Sequence, residues 1–490
     1  MIHDSDLLSV QEIRNLLTKA QTAQKQVATM KQDEIDRIVL SMAQAAREAA
    51  GRLAAMAVEE TGFGNAVDKT TKNVFAAETV YESIKDVKSV GVVGRDEQKR
   101  VWEIAQPVGV IAGIVPSTNP TSTTIFKSLI AVKAGNAIVF SPHPSAARCT
   151  QETARLMQAA AERAGAPSGL ISCIQQPTMK AVNELMTHRV TNLILATGGS
   201  AMVKAAYASG KPSYGVGPGN VPVYLHESAD IPVAIRRIMQ SKTFDNGTIC
   251  ASEQALVVDK AIKRKVVAEC KRQGAYFLDD HEKKRVANVL VANGSLNPEL
   301  VGKSPQSIAQ IAGILVPPDA RVLIAEEDGI GPDFAFSYEK LTPILAMYTV
   351  RDQQEADDVC MRLLQFGGLG HTMGIHAEAH DVIEAFSMEK PVSRIVVNAG
   401  TTFGGIGAST GITPSLTLGC GTAGNNISSD NISVHHLFHR KRVAFGIREV
   451  LTAPMEAVVS QAVTSVPAAS TFSKDELKEL IKSVLLELQA

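Results

Sequence analysis

The amino-acid sequence predicts an α/β fold whose parallel sheets are covered by helices on both faces. From residue 108 to residue 225, short apolar runs alternate with segments of helical spacing. A second series of the same kind extends from about residue 236 to residue 430. Runs that are apolar at every position are typical of strands buried on both faces. The pattern therefore indicates a doubly wound nucleotide-binding domain followed by a second α/β domain.

Individual elements follow from the same spacing. A helix is predicted over 121–134, because its apolar residues share one face and Gly135 can end it, and another over 200–209. The strands of the first series are predicted at VGVIAGIV (108–115), AIVF (137–140), LISCI (170–174), NLIL (192–195) and VPVYL (221–225). The second series is predicted to contain strands at QALVV (254–258), AGILV (312–316) and RIVVN (394–398), with a helix over 260–273.

Two segments outside these series have their own patterns. Residues 5–60 are alanine-rich and amphipathic, which predicts helices. The basic segment SVHHLFHRKRVAFG (433–446) predicts an extended strand or ribbon. Its histidines at 435, 436 and 439 have no neighbouring carboxylate or cysteine in sequence to complete a ligand set, so no metal site is expected.

The last residues have the features of a separate helix behind a linker, which is predicted at 456–470. Ser473 and Glu476 have the spacing of a capping box, and Phe472 and Leu477 that of a hydrophobic staple. One apolar stripe along this helix consists of Leu477, Leu480, Ile481, Val484, Leu485 and Leu488. The stripe is expected either to pack on the protein's own core or an oligomer partner, or to bind another protein.

Length, charge and cysteine content exclude several classes of protein. The 490 residues suffice for two or three domains and a large core. No uncharged run reaches about 18 residues and the N-terminus does not resemble a secretory signal, so neither a membrane span nor secretion is expected. A net charge of −1 with interspersed signs argues against a nucleic-acid partner. Six cysteines without a C-x-x-C pair indicate a reducing, cytoplasmic compartment.

One cysteine has the surroundings of a nucleophile. Cys250 lies in TFDNGTICASEQALVV (243–258), between a turn-forming Asp-Asn-Gly and an apolar strand, where backbone N–H groups can face a bound oxygen. Cys420, in the glycine-rich LGCGTAGNN, is the rival. The four other cysteines fall on predicted helices or in an apolar strand, which indicates structural roles.

Two further stretches could bind negatively charged oxygens, either of a reacting substrate or of a cofactor phosphate. In GIVPSTNPTST (113–123), Asn119 precedes a new helix, where its side chain could donate to an oxyanion or simply cap that helix. In LILATGGSAMVKAA (193–206), a strand, a Thr-Gly-Gly turn and a helix follow one another, which offers a helix N-terminus to a phosphate. The glycine-rich loops at 215–220 and 403–411 lack the spacing of the dinucleotide fingerprint.

Taken together, these stretches resemble the aldehyde dehydrogenase superfamily, and within it the CoA-acylating branch, over roughly residues 10 to 450. The matching pieces, in order, are VPSTNP, FSPHPSA, ATGGSAMV, GVGPGNVPVY, FDNGTICASEQ, YEKLTPILA, PVSRIVVNAGTTFGGIGAST and SLTLGCGTAGNN. The resemblance implies a Rossmann-type NAD domain, an α/β catalytic domain and a small oligomerisation ribbon.

The resemblance also implies roles for individual residues. Cys250 corresponds to the family's nucleophile, Asn119 to its oxyanion-binding asparagine and Glu339 to the glutamate that binds the nicotinamide ribose. The other expected cofactor-binding residues are Pro116, Ser117, Ser141, His143, Thr197, Gly198, Gly199 and Gly217, of which 197–199 form the turn nearest the pyrophosphate.

The sequence departs from the hydrolytic members of this superfamily at two positions. Where those members carry the glutamate that activates water, about 34 residues before the cysteine, this chain has Val216, which cannot act as a base. The thioester on the cysteine is therefore expected to await a thiol acceptor. Ser141 stands where hydrolytic members carry a lysine towards the adenosine ribose, which leaves Ser141 and His143 as the candidates there.

These observations predict NAD-dependent oxidation of a short aliphatic aldehyde to its acyl-CoA, with propionaldehyde the first choice and acetaldehyde the second. A hydrolytic aldehyde dehydrogenase that releases free acid is one alternative, and a non-catalytic cargo or scaffold protein is another. NAD and coenzyme A are the expected cofactor and acyl acceptor.

The predicted organisation is an NAD-binding domain at 1–235, with 88–104 in the ribbon, and a catalytic domain at 236–432. An oligomerisation segment at 433–455 is expected to give a dimer or tetramer. The helix at 471–490 resembles, in pattern, the encapsulation peptides of bacterial microcompartments. A shell or cargo protein is therefore its expected partner, inside a microcompartment of the cytoplasm.

Overall fold

The computed structural model describes residues 5–292, 294–449 and 473–487. The chain divides into two compact units, one of residues 1–94 and 102–442 and the other of residues 95–101 and 443–490. None of the described helices is long and apolar enough to cross a membrane. The helices are α1 (Ser5–Val27), α2 (Gln32–Glu48), α3 (Ala50–Thr61), α4 (Ala66–Val74), α5 (Val80–Ile84), α6 (Pro120–Lys133), α7 (Ala147–Arg163), α8 (Met179–Thr187), α9 (Ser200–Ala208), α10 (Ile231–Thr243), α11 (Lys263–Arg272), α12 (Asp280–Leu290), α13 (Pro305–Ala312), α14 (Gln353–Gly367), α15 (His380–Glu389), α16 (Thr401–Gly405) and α17 (Lys474–Glu487).

Four sheets contain all the strands of the described residues. The strands are β1 (Gly91–Asp96), β2 (Val101–Pro107), β3 (Val110–Val115), β4 (Ala137–Pro142), β5 (Ile171–Cys173), β6 (Thr191–Thr197), β7 (Ser213–Val216), β8 (Val221–Leu225), β9 (Glu253–Asp259), β10 (Ala275–Phe277), β11 (Val291–Ala292), β12 (Ser295–Leu296), β13 (Val322–Glu326), β14 (Ile344–Val350), β15 (Gly370–His376), β16 (Val392–Val397) and β17 (Phe438–Ala444). Strands β11 and β12 pair only with each other, and β1, β2 and β17 form a three-stranded sheet in that order.

The first large sheet has five parallel strands in the order β5-β4-β3-β6-β7. The chain starts at the central β3, extends to β4 and β5 on one side, and then returns to β6 and β7 on the other. The carboxyl ends of β3 and β6 therefore form a topological switch point, which is where sheets of this kind bind ligands. Every residue of β3 and β4 is buried, as the continuously apolar runs predicted. The doubly wound α/β prediction is confirmed.

The second large sheet has seven parallel strands in the order β10-β13-β14-β9-β8-β15-β16. Its strand β8 lies within 1–235, the range expected to form the NAD-binding domain. The strand pairs instead with β9 and β15, so the change of sheet occurs between residues 216 and 221. A buried apolar strand has the same sequence pattern in either sheet, and only long-range pairing decides where it belongs.

The prediction of a strand at AGILV (312–316) is wrong. Helix α13 continues to Ala312 and ends at Gly313, whose φ of 64° is left-handed, and no strand follows directly. Ile314 is buried, while the side chain of Leu315 is 91% exposed. Short apolar runs after a helix contain too few residues for their periodicity to separate a strand from a packed turn.

The second unit contains part of the ribbon and the terminal helix. The backbone N–H of Phe445 donates to the carbonyl of Arg100 at 3.1 Å. At the start of α17, the backbone N–H of Ser473 donates to Glu476 at 2.8 Å, and the N–H of Glu476 donates back to the Ser473 hydroxyl at 3.4 Å. This confirms the capping box. The linker at 456–470, Phe472 of the staple and Leu488 lie outside the described residues.

Asn136 joins the first large sheet to the segment before β17. Its fully buried side chain accepts from the Gly109 N–H at 2.9 Å and donates to the Leu437 carbonyl at 2.8 Å. Replacing it by alanine leaves both backbone groups without these bonds in a buried place. We expect Asn136→Ala to lower the free energy of unfolding by about 1–3 kcal/mol.

The measurement is urea denaturation followed by circular dichroism. Asn183→Ala, at an exposed position of α8, is the matched control and is expected to change stability by less than about 0.5 kcal/mol. Equal shifts of the two midpoints would contradict the role of Asn136.

Candidate functional site

A cavity of about 790 Å³ opens where the loops at the carboxyl ends of β3, β4, β6 and β7 meet the loops before β9 and β14. All eleven residues predicted for the site line this cavity, although they are spread over 224 positions of sequence, from 116 to 339. They are Pro116, Ser117, Asn119, Ser141, His143, Thr197, Gly198, Gly199, Gly217, Cys250 and Glu339.

Cys250 lies in a tight loop between a 3₁₀ turn, Phe244–Gly247, and strand β9. Asp245 and Asn246 have left-handed backbone angles, with φ of 48° and 52°. Asp and Asn tolerate that region better than most residues, and the strain is held by the contacts around the loop. On the other side, Gly219 packs against the cysteine: a Cβ at residue 219 would lie 2.4 Å from the Cys250 carbonyl oxygen. The loop is therefore fixed from both sides.

The thiol of Cys250 is held in its neutral form. Burial, together with the neighbouring Glu339 and Cys420, raises the pKa of Cys250 to about 12, while Arg394 opposes them. The rival Cys420 is 3% exposed, is not among the residues that line the cavity, and has a pKa raised to about 11 by burial. Cys250 is thus the cysteine that a cavity-bound molecule can reach.

Asn119 occupies the N-cap position of α6 without capping the helix. Its Oδ1 accepts from Lys72 Nζ at 2.5 Å. Its Nδ2 donates to the Thr118 hydroxyl at 3.1 Å and to the Thr248 carbonyl at 3.3 Å, both of them residues that line the cavity. The alternative of an ordinary helix cap is wrong, and the amide is placed at the cavity beside the cysteine loop.

Glu339 is anchored to the same glycine-rich loop that packs on Cys250. Its Oε1 accepts from the Gly219 N–H at 3.0 Å. Burial raises the pKa of Glu339 to about 7, against the lowering effects of that hydrogen bond and of Lys242 and Lys340. Two residues later, Leu341 has a φ of 45°, a rare backbone conformation for a leucine, and its side chain also lines the cavity.

The turn after β6 presents open backbone to the cavity. Gly199 is the N-cap residue of α9, and a Cβ on it would meet nothing within 4 Å. The start of α9 therefore has open space beside it and no side-chain cap, and a helix N-terminus of this kind is suited to binding phosphate. The residues present thus fit a dinucleotide whose pyrophosphate lies at this turn.

The expected adenosine-side candidates differ in exposure. Ser141 is buried at the end of β4, and His143 is exposed. The His143 Nδ1 accepts from the Ser145 N–H at 3.2 Å, and partial desolvation of the ring lowers the pKa of His143. A neutral imidazole with Nδ1 as acceptor carries its proton on Nε2.

Val216 lies in the cavity wall with 2% of its surface exposed. Of the described residues that line the cavity, Glu339 is the sole carboxylate, and neither lysine nor arginine is among them. The position at which the resemblance places the water-activating glutamate of hydrolytic members therefore has an apolar side chain in this cavity.

The structure reveals polar residues behind the cysteine that were not recognised in the sequence. His371, on strand β15, is fully buried, and a Cβ at residue 219 would lie 3.0 Å from its ring. Its Nε2 has no hydrogen-bond partner among the described residues, and burial with the charge of Arg394 lowers the pKa of His371 to about 3. Arg394 donates to the carbonyls of His371 (3.0 Å) and Gly419 (2.6 Å). In the sequence, the only feature that could have indicated His371 or Arg394 was a polar residue inside an apolar strand.

The clustered histidines do not form a metal site with other ligands. Within the described ranges, no group of three histidine, cysteine, aspartate or glutamate residues could hold a metal ion. His436 Nε2 lies 3.1 Å from Asp430, and His439 lies on β17.

Comparison with known sequences identifies a family and its members. The model of the aldehyde dehydrogenase family matches residues 2–281. The bifunctional aldehyde-alcohol dehydrogenase AdhE of Escherichia coli (strain K12) is 44% identical over 441 residues, which cover 89% of this chain and 50% of that protein. The chain spans about half the length of the first curated relatives it matches.

Two solved structures extend the comparison. An acetylating aldehyde dehydrogenase from Geobacillus thermoglucosidasius is 67% identical, with a TM-score of 0.92 and coverage of 92% of this chain and 100% of that one. The propionaldehyde dehydrogenase of Rhodopseudomonas palustris, solved with bound CoA and an acylated cysteine, is 27% identical, with a TM-score of 0.81 and coverage of 88% and 97%.

The raised pKa of Cys250 predicts that its thiol is alkylated slowly in the cofactor-free protein, at a rate that depends on pH. Only the thiolate reacts with iodoacetamide, so below its pKa of about 12 the alkylation rate is expected to rise about tenfold per pH unit from pH 7 to pH 10. Peptide mass spectrometry measures modification at residue 250, and Cys250→Ala gives the background from the other cysteines. A plateau in the rate near pH 8 would contradict the raised pKa.

Proposed function

The chain belongs to the aldehyde dehydrogenase family, and we propose that it converts a short aliphatic aldehyde and CoA into an acyl-CoA, reversibly, with reduction of NAD⁺. The observation that carries this proposal is the wall of the cavity. Cys250 and Asn119 line it together, while the apolar Val216 occupies the place of the base that hydrolysis needs. The similarity to the acetylating aldehyde dehydrogenase of Geobacillus thermoglucosidasius and to the CoA-bound propionaldehyde dehydrogenase of Rhodopseudomonas palustris supports the same activity.

The proposed chemistry begins with the Cys250 thiol, whose proton passes to solvent as the sulfur bonds to the carbonyl carbon of the aldehyde. The carbonyl oxygen becomes an oxyanion, which the Asn119 amide and the Cys250 backbone N–H stabilise by hydrogen bonds. NAD⁺, when bound, supplies the acceptor for the hydride whose loss leaves an acyl thioester on Cys250. The thiol of CoA then attacks the carbonyl carbon of this thioester, the bond to the Cys250 sulfur breaks, and that sulfur takes up a proton as acyl-CoA forms.

Cofactor binding is proposed for residues around the switch point of the five-stranded sheet. The turn at 197–199 and the N-terminus of α9 suit the pyrophosphate, and Glu339 suits the nicotinamide ribose. Pro116, Ser117 and Gly217 lie along the same wall, with Ser141 and His143 towards the adenosine. Their common cavity supports this assignment.

The preference for CoA over water follows from the shape and polarity of the wall. A thioester is hydrolysed quickly only where a base removes a proton from the attacking water. Glu339, the one carboxylate of the wall, is engaged by the Gly219 N–H. CoA brings its own nucleophile, which needs no such base in the place of Val216.

A short, uncharged aldehyde suits the end of the cavity near the cysteine loop. Phe63, Val301 and Leu341 line the cavity with Thr248, and a Cβ at the neighbouring residue 302 would lie 2.9 Å from Thr248. The described lining has no lysine or arginine to pair with an acidic substrate. Propionaldehyde is the proposed first substrate and acetaldehyde the second, since one methylene changes binding by only about 1–3 kcal/mol.

Domain roles are proposed on the same basis. The five-stranded sheet would form the NAD-binding domain and the seven-stranded sheet the catalytic domain. The three-stranded sheet of β1, β2 and β17 would join copies of the chain into a dimer or tetramer. Its mostly exposed strand β17 supports this role.

The proposal predicts that steady-state NADH formation from propionaldehyde requires CoA. Cys250→Ala is expected to abolish it, because the covalent intermediate cannot form, whereas Cys420→Ala is the matched control and should retain most of the activity. The assay follows absorbance at 340 nm with CoA present and absent. Sustained, CoA-independent turnover would support a hydrolytic enzyme instead, and no NAD⁺ reduction under any condition would support a non-catalytic cargo or scaffold protein.

We also propose that the terminal helix, expected at 471–490, binds a shell or cargo protein of a bacterial microcompartment in the cytoplasm. In the described part, α17, the apolar side chains of one face are exposed. They are Leu477, Leu480, Ile481, Val484 and Leu485, with exposed fractions of 50–60%. Lysines and glutamates occupy other positions of the helix, such as Lys478 and Lys482. An amphipathic helix with its own cap is suited to laying its apolar face into a groove of another protein.

Deleting residues 466–490 is expected to leave CoA-dependent NADH formation unchanged and to abolish co-localisation with shells. Leu480→Glu with Val484→Glu should have the same effect, because the charges disrupt the apolar face. Lys478→Ala with Lys482→Ala is the matched control and should still co-localise. Fluorescence microscopy of tagged chains in cells with shells measures this. Loss of solubility or of the oligomer upon deletion would show that the helix packs within the assembly.

A further inference from the structure

We propose that Lys72 is a positioning residue that fixes which end of the Asn119 carboxamide faces the cavity. Lys72 lies on α4, 47 positions before Asn119 in sequence. Its Nζ donates to the Asn119 Oδ1 at 2.5 Å and to the Thr248 hydroxyl at 2.9 Å, and it also donates to the Asp245 carboxylate. The inference rests on the proposed function, since it concerns how Asn119 stabilises the oxyanion.

The orientation follows from what an ammonium group can do. An ammonium only donates hydrogen bonds, so the end of the carboxamide that faces it must be the oxygen. The amide nitrogen then has to point the other way, towards Thr248 and the cavity. If the carboxamide turned by 180°, its oxygen would face the developing oxyanion, and the transition state would lose a hydrogen bond and gain a repulsion. Of the other contacts of Asn119, the Thr248 carbonyl at 3.3 Å only accepts and so favours the same order, while the Thr118 hydroxyl at 3.1 Å can donate or accept and favours neither.

Burial makes the contact with Lys72 strong. Lys72 is 3% exposed, and Asp245 is fully buried. The charges that face Lys72 are Asp245, Lys69 and Asp68, and burial lowers the pKa of Lys72 to about 8. A buried ammonium is stable only while every donor has a partner. Asn119, Thr248 and Asp245 supply those three partners, so the carboxamide oxygen is held by the needs of the ammonium.

The structure also contains a matched control for this role. Lys69 is on the same face of α4, is equally buried at 2%, and donates to the same Asp245 oxygen at 2.8 Å. Its remaining contact is the backbone carbonyl of Thr118, at 2.9 Å, and it does not donate to Asn119. Removing Lys69 therefore disturbs the same charge cluster without releasing the carboxamide.

The test is a double-mutant cycle. The quantity measured is the rate of the initial NADH burst, because the oxyanion forms before the hydride leaves. KM for NAD⁺ is measured in parallel. Lys72→Met is expected to slow the burst by about 10- to 100-fold, somewhat less than loss of an oxyanion donor. Because Lys72 acts through Asn119, the double variant with Asn119→Ala should be no slower than Asn119→Ala alone. Lys69→Met should slow the burst less, and its effect should multiply with that of Asn119→Ala.

The possible outcomes distinguish the positioning role of Lys72 from the proposed function. Multiplicative losses for Lys72→Met and Asn119→Ala, or equal behaviour of Lys69→Met, would overturn the positioning role while leaving the proposed function intact. An unchanged burst in Asn119→Ala would overturn the oxyanion role of Asn119 and the positioning role of Lys72 together, whereas absence of any burst in the unaltered enzyme would overturn the proposed function. If Lys72→Met does not fold, Lys72→Gln takes its place: its amide can donate or accept, so the carboxamide can turn, and the same absence of multiplication is expected.

Discussion

The site depends on the buried ion pairs that the Asp245 carboxylate forms with two lysines. The carboxylate receives Lys69 and Lys72 from α4, the Thr248 hydroxyl at 2.7 Å and the Asn65 N–H at 2.9 Å. Gly64 makes this approach possible, because a Cβ there would lie 1.7 Å from the carboxylate. A buried charge with one partner removed costs several kcal/mol, so the cluster is formed completely or destabilises the fold. Completed, it joins the helix, the residues around Asn119 and the loop that carries Cys250.

The electrostatics of the cavity favour a covalent intermediate that waits for its acceptor. Burial opposes the thiolate of Cys250 and the carboxylate of Glu339 alike, so the cavity carries little negative charge at neutral pH. In the proposed reaction, a neutral, apolar wall would slow the attack of water, while the N–H groups of Asn119 and the loop would act only once charge develops on the substrate. The same environment that makes the free thiol unreactive therefore protects the acyl thioester until a thiol arrives.

Much of the fold and site could be predicted from the sequence, for physical reasons. Fully buried parallel strands leave continuous apolar runs, and the motifs around Cys250, Asn119 and Glu339 are local. The sheet to which β8 belongs and the turn at 313–316 were not predictable, because pairing partners and tertiary packing decide them. Lys72 was missed for a similar reason: on α4 its spacing indicates an ordinary solvated lysine, and only the fold brings Asp245 to it.

The most direct test of the account is a single turnover without CoA. Enzyme, NAD⁺ and propionaldehyde are mixed, and NADH and intact mass are measured before and after CoA is added. The account predicts about one NADH per site, an added propionyl group on the peptide that contains Cys250, and its discharge as propionyl-CoA. An acyl group on another residue, or loss of the group to water before CoA is added, would contradict it.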